Sequence, residues 1–184
     1  MENNKNMGQE SGNSDTENAE ERVTAVECTE QVRLAARRIA LLYHFFADTL
    51  TSELGEEKGK ELIQKAIQAY GVHSGRMMRQ ELEALGLPPT PGNQGRVSDL
   101  PRFGWDTDHT VDAEGRQLPT VTYCPLAATW EALGPRAVEL GRLYCHVDQA
   151  KQEGYNPLDE FLHTSNVLDG DPFCTFLVRA RQKE

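Results

Sequence analysis

The spacing of apolar residues changes its period partway along this chain, and that change limits the fold more than any other feature. Val32, Ala35, Ala36, Ile39, Leu42, Tyr43, Phe46 and Leu50 recur at intervals of three and four, the signature of one helical face. Thr24-Ala-Val-Glu27 has the spacing of a capping box, so a helix should begin there, and Gly55 should end it. The same period returns behind Glu56 and Glu57, acidic residues suited to a helix N-terminus, with Leu62, Ile63, Ala66, Ile67 and Tyr70 facing inward and Met77, Met78, Leu82 and Leu85 continuing. Gly71 and Gly75 interrupt this second run and predict a kink or a break. His73 between them and His44 on the first helix read most simply as boundary residues. Residues 86–95, dense in proline and glycine, read as a loop, and beyond them the helical period is lost.

The C-terminal half mixes strand and helix signals. Residues 117–123 carry the β-formers Val121, Thr122 and Tyr123, residues 112–115 look like a turn, and with residues 97–109 ahead of them they predict a β-hairpin. Pro125 sits where a helix could start, residues 127–133 form a short helix closed by Gly134, and Pro135 opens another that runs to Gly154-Tyr-Asn-Pro157. Residues 158–164 lead to an Asp169-Gly-Asp-Pro172 turn, and residues 173–178 alternate as a final strand. The expected fold is α+β, with two long N-terminal helices packed on a small antiparallel sheet and a further C-terminal helix. Residues 1–25, rich in Asn, Glu, Ser and Gly, are expected to be a disordered acidic tail, and residues 26–184 a single domain.

The formal charge of −10 and the scatter of the Lys and Arg residues argue against a nucleic-acid partner, which requires a concentrated basic patch. No apolar run is long enough to predict a membrane partner. Four cysteines without a secretory apolar segment point to a reduced, cytoplasmic protein rather than a disulfide scaffold. A small molecule is the expected partner, and the composition is silent on oligomeric state.

Three of those cysteines, Cys124, Cys145 and Cys174, fall in different predicted elements of the C-terminal half, so only tertiary packing could bring them together. Either they converge on a site or they are small buried hydrophobes, since free cysteine is often buried. A reactive cysteine needs its thiolate, which a helix N-terminus favours and a carboxylate disfavours. By that test Cys124, just before Pro125, is the better nucleophile. Cys145 and Asp148, three apart on one predicted helix, place a thiol and a carboxylate on one face, a setting for metal ligation or for a protonated thiol. If a metal such as zinc is held, Cys124, Cys145 and Cys174 supply three ligands and His146 or His163 a fourth, although no closely spaced cysteine pair is present. Trp105, flanked by Asp106 and Asp108, is either a core anchor or the aromatic wall of a substrate pocket.

The succession Thr122-Tyr-Cys-Pro125, Trp130 before Leu133-Gly134, Leu143-Tyr-Cys-His-Val-Asp148, Tyr155-Asn-Pro157 and Gly170-Asp-Pro-Phe-Cys-Thr-Phe176 resembles the L-2-amino-thiazoline-4-carboxylic acid hydrolase family. Leu54-Gly-Glu-Glu-Lys-Gly59 and Tyr70-Gly71 look like that family's N-terminal helices, and the likeness spans residues 32–178. It implies an α+β domain and a hydrolase that opens a cyclic isothiourea at a C–N bond to a carbamoyl-cysteine-type product. On that reading Cys124 attacks or orients the ring carbon and Asp148 handles protons. Cys145 and Cys174 line the site, while Asn156 and Asp171 orient polar groups of the substrate. A fainter likeness, Cys145 followed by Gly170-Asp171 and Cys174-Thr-Phe176, is similar to the ending of 4-vinyl-reductase-like domains, which are small-molecule-binding modules. The other zinc ligands of that pattern would fall near His163 and Asn166, so its metal site is not reproduced. This second likeness implies the alternative, a non-catalytic binding or sensor domain with its pocket between the long helices and the sheet.

Overall fold

The computed structural model describes residues 22–97, 100–101 and 103–181. Of the expected tail over residues 1–25, residues 1–21 lie outside the described residues, and Ala25 already belongs to the first helix. Helix α1, Ala25–Leu54, begins where the capping box predicts: Glu27 N donates to the Thr24 hydroxyl, and Thr24 N donates to the Glu27 carboxylate. Gly55, at φ 82°, turns the chain directly into α2, Glu56–Ala84. Then come a short helix α3, Pro91–Gln94, inside the expected loop, the hairpin β1, Asp106–Val111, with β2, Gln117–Tyr123, and three helices, α4 (Pro125–Leu133), α5 (Pro135–Tyr144) and α6 (Val147–Tyr155). Two strands, β3 (Asp159–Ser165) and β4 (Cys174–Ala180), flank a 3₁₀ turn at Val167–Asp169. The sheet is antiparallel with order β1-β2-β4-β3, and Val121 on β2 stands opposite Cys174 on β4.

The α+β expectation is met, with four local differences. First, α2 runs unbroken through Gly71 and Gly75, because those glycines serve packing rather than termination. A Cβ on Gly71 would stand 2.6 Å from the Ala150 methyl, and one on Gly75 would stand 2.0 Å from the Lys151 carbonyl oxygen. The missing side chains let α6 lie against α2, its main neighbour. Second, the single helix expected from Pro135 to Gly154 is two. At Cys145 and His146 the chain tightens into i→i+3 bonds, His146 N to Leu143 O and Asp148 N to Cys145 O, both 3.4 Å. Cys145 therefore caps α5, and Asp148 lies in the first turn of α6. Third, residues 159–165 form a full strand. Fourth, α1 is rotated from the expected stripe: Ala36, Ala40 and Ala47 are buried, while Ile39, Leu42 and Phe46 are more than half exposed.

Small inward residues let α1 approach α4 closely. The buried Trp130 indole donates to Ala40 O at 3.0 Å, and Tyr43, Trp130 and Tyr144 pack as an aromatic cluster with centroids 5.0–5.7 Å apart. A second contact pins the hairpin to α1. Arg33 Nε donates to Gly104 O at 3.1 Å, its Nη2 pairs with Asp106 at 2.6 Å, and its guanidinium lies over the Tyr123 ring. Between these two attachments a cavity lies between α1 and the sheet. Among the described residues no helix is long and apolar enough to cross a membrane.

Candidate functional site

The cavity has a volume of about 670 Å³. One side is α1, through Val32, Ala36 and Ile39; the other is the sheet, through Val121, Phe161, Cys174 and Phe176. Trp105 and Tyr70 of α2 also line it, and most of the wall is aliphatic or aromatic. Its ionisable and amide groups on the C-terminal half include Cys124, Cys145, Cys174, Asp148, Lys151, His163 and Asn166.

Each is placed by local structure. β2 ends at Tyr123, and Cys124 is the N-cap of α4, with Pro125 at the first helical position where no amide donor is lost. Cys145 stands at the α5–α6 corner, its Sγ 3.8 Å from Gly141 O. Cys174 opens β4 and accepts from Val167 N at 3.4 Å. Asn166 is 1 % exposed and caps the 3₁₀ turn, its Oδ1 accepting from Leu168 N at 3.0 Å. Its Nδ2 has no hydrogen-bond partner among the described residues, and the same amide is the first of the groups that favour the Cys145 thiolate against burial.

Burial pushes all three thiols up. For Cys145 the value reaches about 12, because desolvation and the Asp148 and Cys124 charges outweigh the help of Asn166 and Arg142. Desolvation also raises Cys124, against the opposing pull of the Ala127 and Leu126 amides and the Trp105 indole. The helix N-terminus thus acts on Cys124 in the expected sense without overcoming burial. Cys174 is raised for the same first reason.

Asp148 behaves oppositely. Burial alone would raise its carboxyl, but His163 and the Lys151 charge outweigh that and hold it below the ordinary carboxylate value. His163 Nε2 is 3.5 Å from Asp148 Oδ2, and Lys151 Nζ is 3.6 Å from Oδ1. Gln149 fixes the imidazole. With its amide N–H donating to Cys145 O at 3.1 Å and His146 O at 3.3 Å, its Oε1 accepts from His163 Nδ1 at 2.9 Å. One glutamine thereby ties the α5–α6 corner to the ring that faces the carboxylate.

The cavity brings together Cys124, Cys145, Cys174, Asp148 and Trp105. It does not include Asn156 or Asp171. Asn156 donates to Asp159 Oδ2 at 2.8 Å and accepts from Leu158 N, so it builds the α6–β3 turn. Asp171 is exposed and accepts from Asn166 N at 2.8 Å, which holds the turn that positions Asn166. Among the described residues no three His, Cys, Asp or Glu side chains are grouped closely enough for one metal ion. The thiols share a wall rather than a ready coordination shell. His146 lies outside this cavity, while His163 enters it as a partner of Asp148. Lys151 is a site residue that the sequence patterns above do not single out, and Asn166 enters them only as a position of the fainter likeness, not as a site residue. Lys151 carries a usable signal, its i,i+3 spacing from Asp148, whereas Asn166 carries none until residues 159–165 are seen to be a strand.

A family model described as L-2-amino-thiazoline-4-carboxylic acid hydrolase matches residues 35–178. No curated protein and no solved structure matches the chain.

Proposed function

The chain belongs to the L-2-amino-thiazoline-4-carboxylic acid hydrolase family, and on that premise we propose that it opens the ring of a small cyclic amidine or thiazoline at a C–N bond, inside the cavity between α1 and the sheet. The observation that carries this reading is an ionised carboxylate, Asp148, held by His163 and Lys151 within an otherwise apolar wall that also presents Cys124. Such a carboxylate pairs with the amidine nitrogens and orients the ring carbon for attack. The Cys124 sulfur bonds to that carbon, and its proton passes by way of the Asp148–His163 pair to the ring nitrogen. The carbon–nitrogen bond breaks, and the ring nitrogen becomes a primary amine still tethered to the reacting carbon through the ring sulfur. Water then replaces the Cys124 sulfur, restoring the thiol and leaving a thiocarbamate, so atoms and charge balance. Cys145 and Cys174 serve as wall, and Trp105 as the aromatic surface over the ring.

A second reading is favoured by the size of the cavity. A thiazoline carboxylate has roughly nine non-hydrogen atoms and occupies at most ~270 Å³ even at the share of a liquid water. The cavity, at about 670 Å³, is more than twice that. A non-catalytic module that binds a larger apolar ligand would use that space, and thiols held protonated would suit it.

One pair of measurements separates the readings. Turnover of L-2-amino-thiazoline-4-carboxylate should fall on the order of 10³-fold or more in Cys124→Ala, with its circular dichroism unchanged. Wild-type rates in that variant would remove the nucleophile. Saturable thermal stabilisation of the wild-type protein by thiazolines without any product would favour the binding module.

A further inference from the structure

Helix α1 presents two unlike faces. Its buried side is alanine-rich, while Leu34, Ile39, Leu42, Phe45 and Phe46 are 43–64 % exposed. At 3.6 residues per turn these five lie on one continuous arc of about 140°, turned away from the buried alanines. Between residues 34 and 46 the only charge on that arc is Arg38. A helix that faced water alone would carry the reverse pattern.

We propose that a second copy of this chain covers this face, the two α1 helices packing antiparallel about a two-fold axis between Phe45 and Phe46. Area supports a dimer. The two phenylalanines leave roughly 250 Å² uncovered, and the three aliphatic side chains roughly 150 Å² at ~25 cal/mol per Å². Two copies therefore offer up to about 800 Å² of apolar surface, which at the ~65 % apolar share of homodimer interfaces corresponds to up to about 1,200 Å² in all, the lower end of the range of specific interfaces.

Charge fixes the direction. Arg33 and Asp48 of α1 are already paired, with Asp106 and Arg136. Arg38 and Glu53 are exposed and have no partner among the described residues. An axis between Phe45 and Phe46 sets Arg38 of one copy opposite Glu53 of the other, whereas a parallel pair would set Arg38 against Arg38. Ile39 belongs both to this face and to the cavity wall, so the second copy would border the cavity.

Sedimentation equilibrium of the full chain at micromolar concentration and physiological salt tests this. The wild-type protein should sediment at twice the chain mass. Leu42→Glu with Phe45→Glu should give a monomer whose circular dichroism and melting temperature match wild type, since both side chains are exposed. Arg38→Glu should weaken association ~10-fold, and Arg38→Glu with Glu53→Arg should restore it. A monomeric wild-type chain, or a dimer that survives the Leu42 and Phe45 changes, overturns the interface. Wild-type association in Arg38→Glu overturns the antiparallel pairing.

Discussion

Asp148 lines an apolar cavity and is nevertheless held in its charged form, which makes it the side chain on which the proposed chemistry turns. Its lowered value means that its favourable interactions are present above the ordinary carboxylate value of ~3.9 and are lost only as pH falls through the still lower folded value. Asp148→Asn should reduce kcat/KM on the order of 10²–10⁴-fold. Any acid limb of the wild-type pH profile above about pH 5 should survive in that variant's residual activity, because Asp148 does not titrate there. An acid limb that vanishes with the substitution would show that His163 and Lys151 do not hold the carboxyl below its ordinary value. On the alkaline side Cys124 is raised, so a rate that depends on its thiolate should keep climbing past about pH 8.5. The members of this site that are legible in the sequence include the cysteines, a scarce and reactive residue type, and Asp148, legible only through its three-residue spacing from Cys145. Asn156 and Asp171 fall outside it for a physical reason: a polar residue at a turn satisfies its own backbone, and one-dimensional order does not distinguish that from contact with a ligand.

Where elements meet, sequence is informative about their existence and less so about their orientation. The capping box, the hairpin and the proline-led helices α4 and α5 fall where local chemistry predicts them. The rotation of α1 and the corner between α5 and α6 do not, since both are set by partners distant in the chain. Large apolar residues mark a face that seeks cover, but alanines win the inward position where two helices must approach closely. The glycines of α2 carry the same lesson, and their role can be tested. In Gly75→Ala the new methyl would meet the Lys151 carbonyl and the Tyr155 amide, both backbone, so the clash is not relieved by a rotamer change. A clash at 2.0 Å with backbone puts the overpacking cost at the upper end of its usual range, ~3 kcal/mol, against the ~1 kcal/mol gained in helix propensity. Urea unfolding should show a net loss of about 2 kcal/mol. Activity should also fall, because the shift moves the segment of α6 that bears Lys151 and Asp148. Gly92→Ala, with nothing within 4 Å of the added methyl, should stay within ~0.5 kcal/mol of wild type.

Over the whole molecule, the cavity gathers its ionisable thiols in neutral form, and folding is thereby linked to alkaline pH. Cys124, Cys145 and Cys174 are all raised by burial, and the Tyr43 hydroxyl behind them is raised too while donating to Leu140 O at 2.7 Å. Unfolding returns each thiol to water, where it ionises near pH ~8.5. A group whose folded value is raised contributes its full stability below the unfolded value and loses it as pH climbs toward the folded one. For Cys145 that window runs from about 8.5 to about 12. At ~1.36 kcal/mol per unit, Cys145 alone should lower stability by up to ~2 kcal/mol between about pH 8 and about pH 10. Urea unfolding at those two values should show wild type losing stability by about this amount, with Cys124 and Cys174 adding to it. Cys145→Ser, which has nothing to ionise in that range, should lose up to ~2 kcal/mol less across the same interval, whatever its stability at the lower pH. If the two proteins lose stability in parallel, the Cys145 thiol is not held neutral by the fold, and the cavity is wetter than its aromatic and aliphatic lining implies.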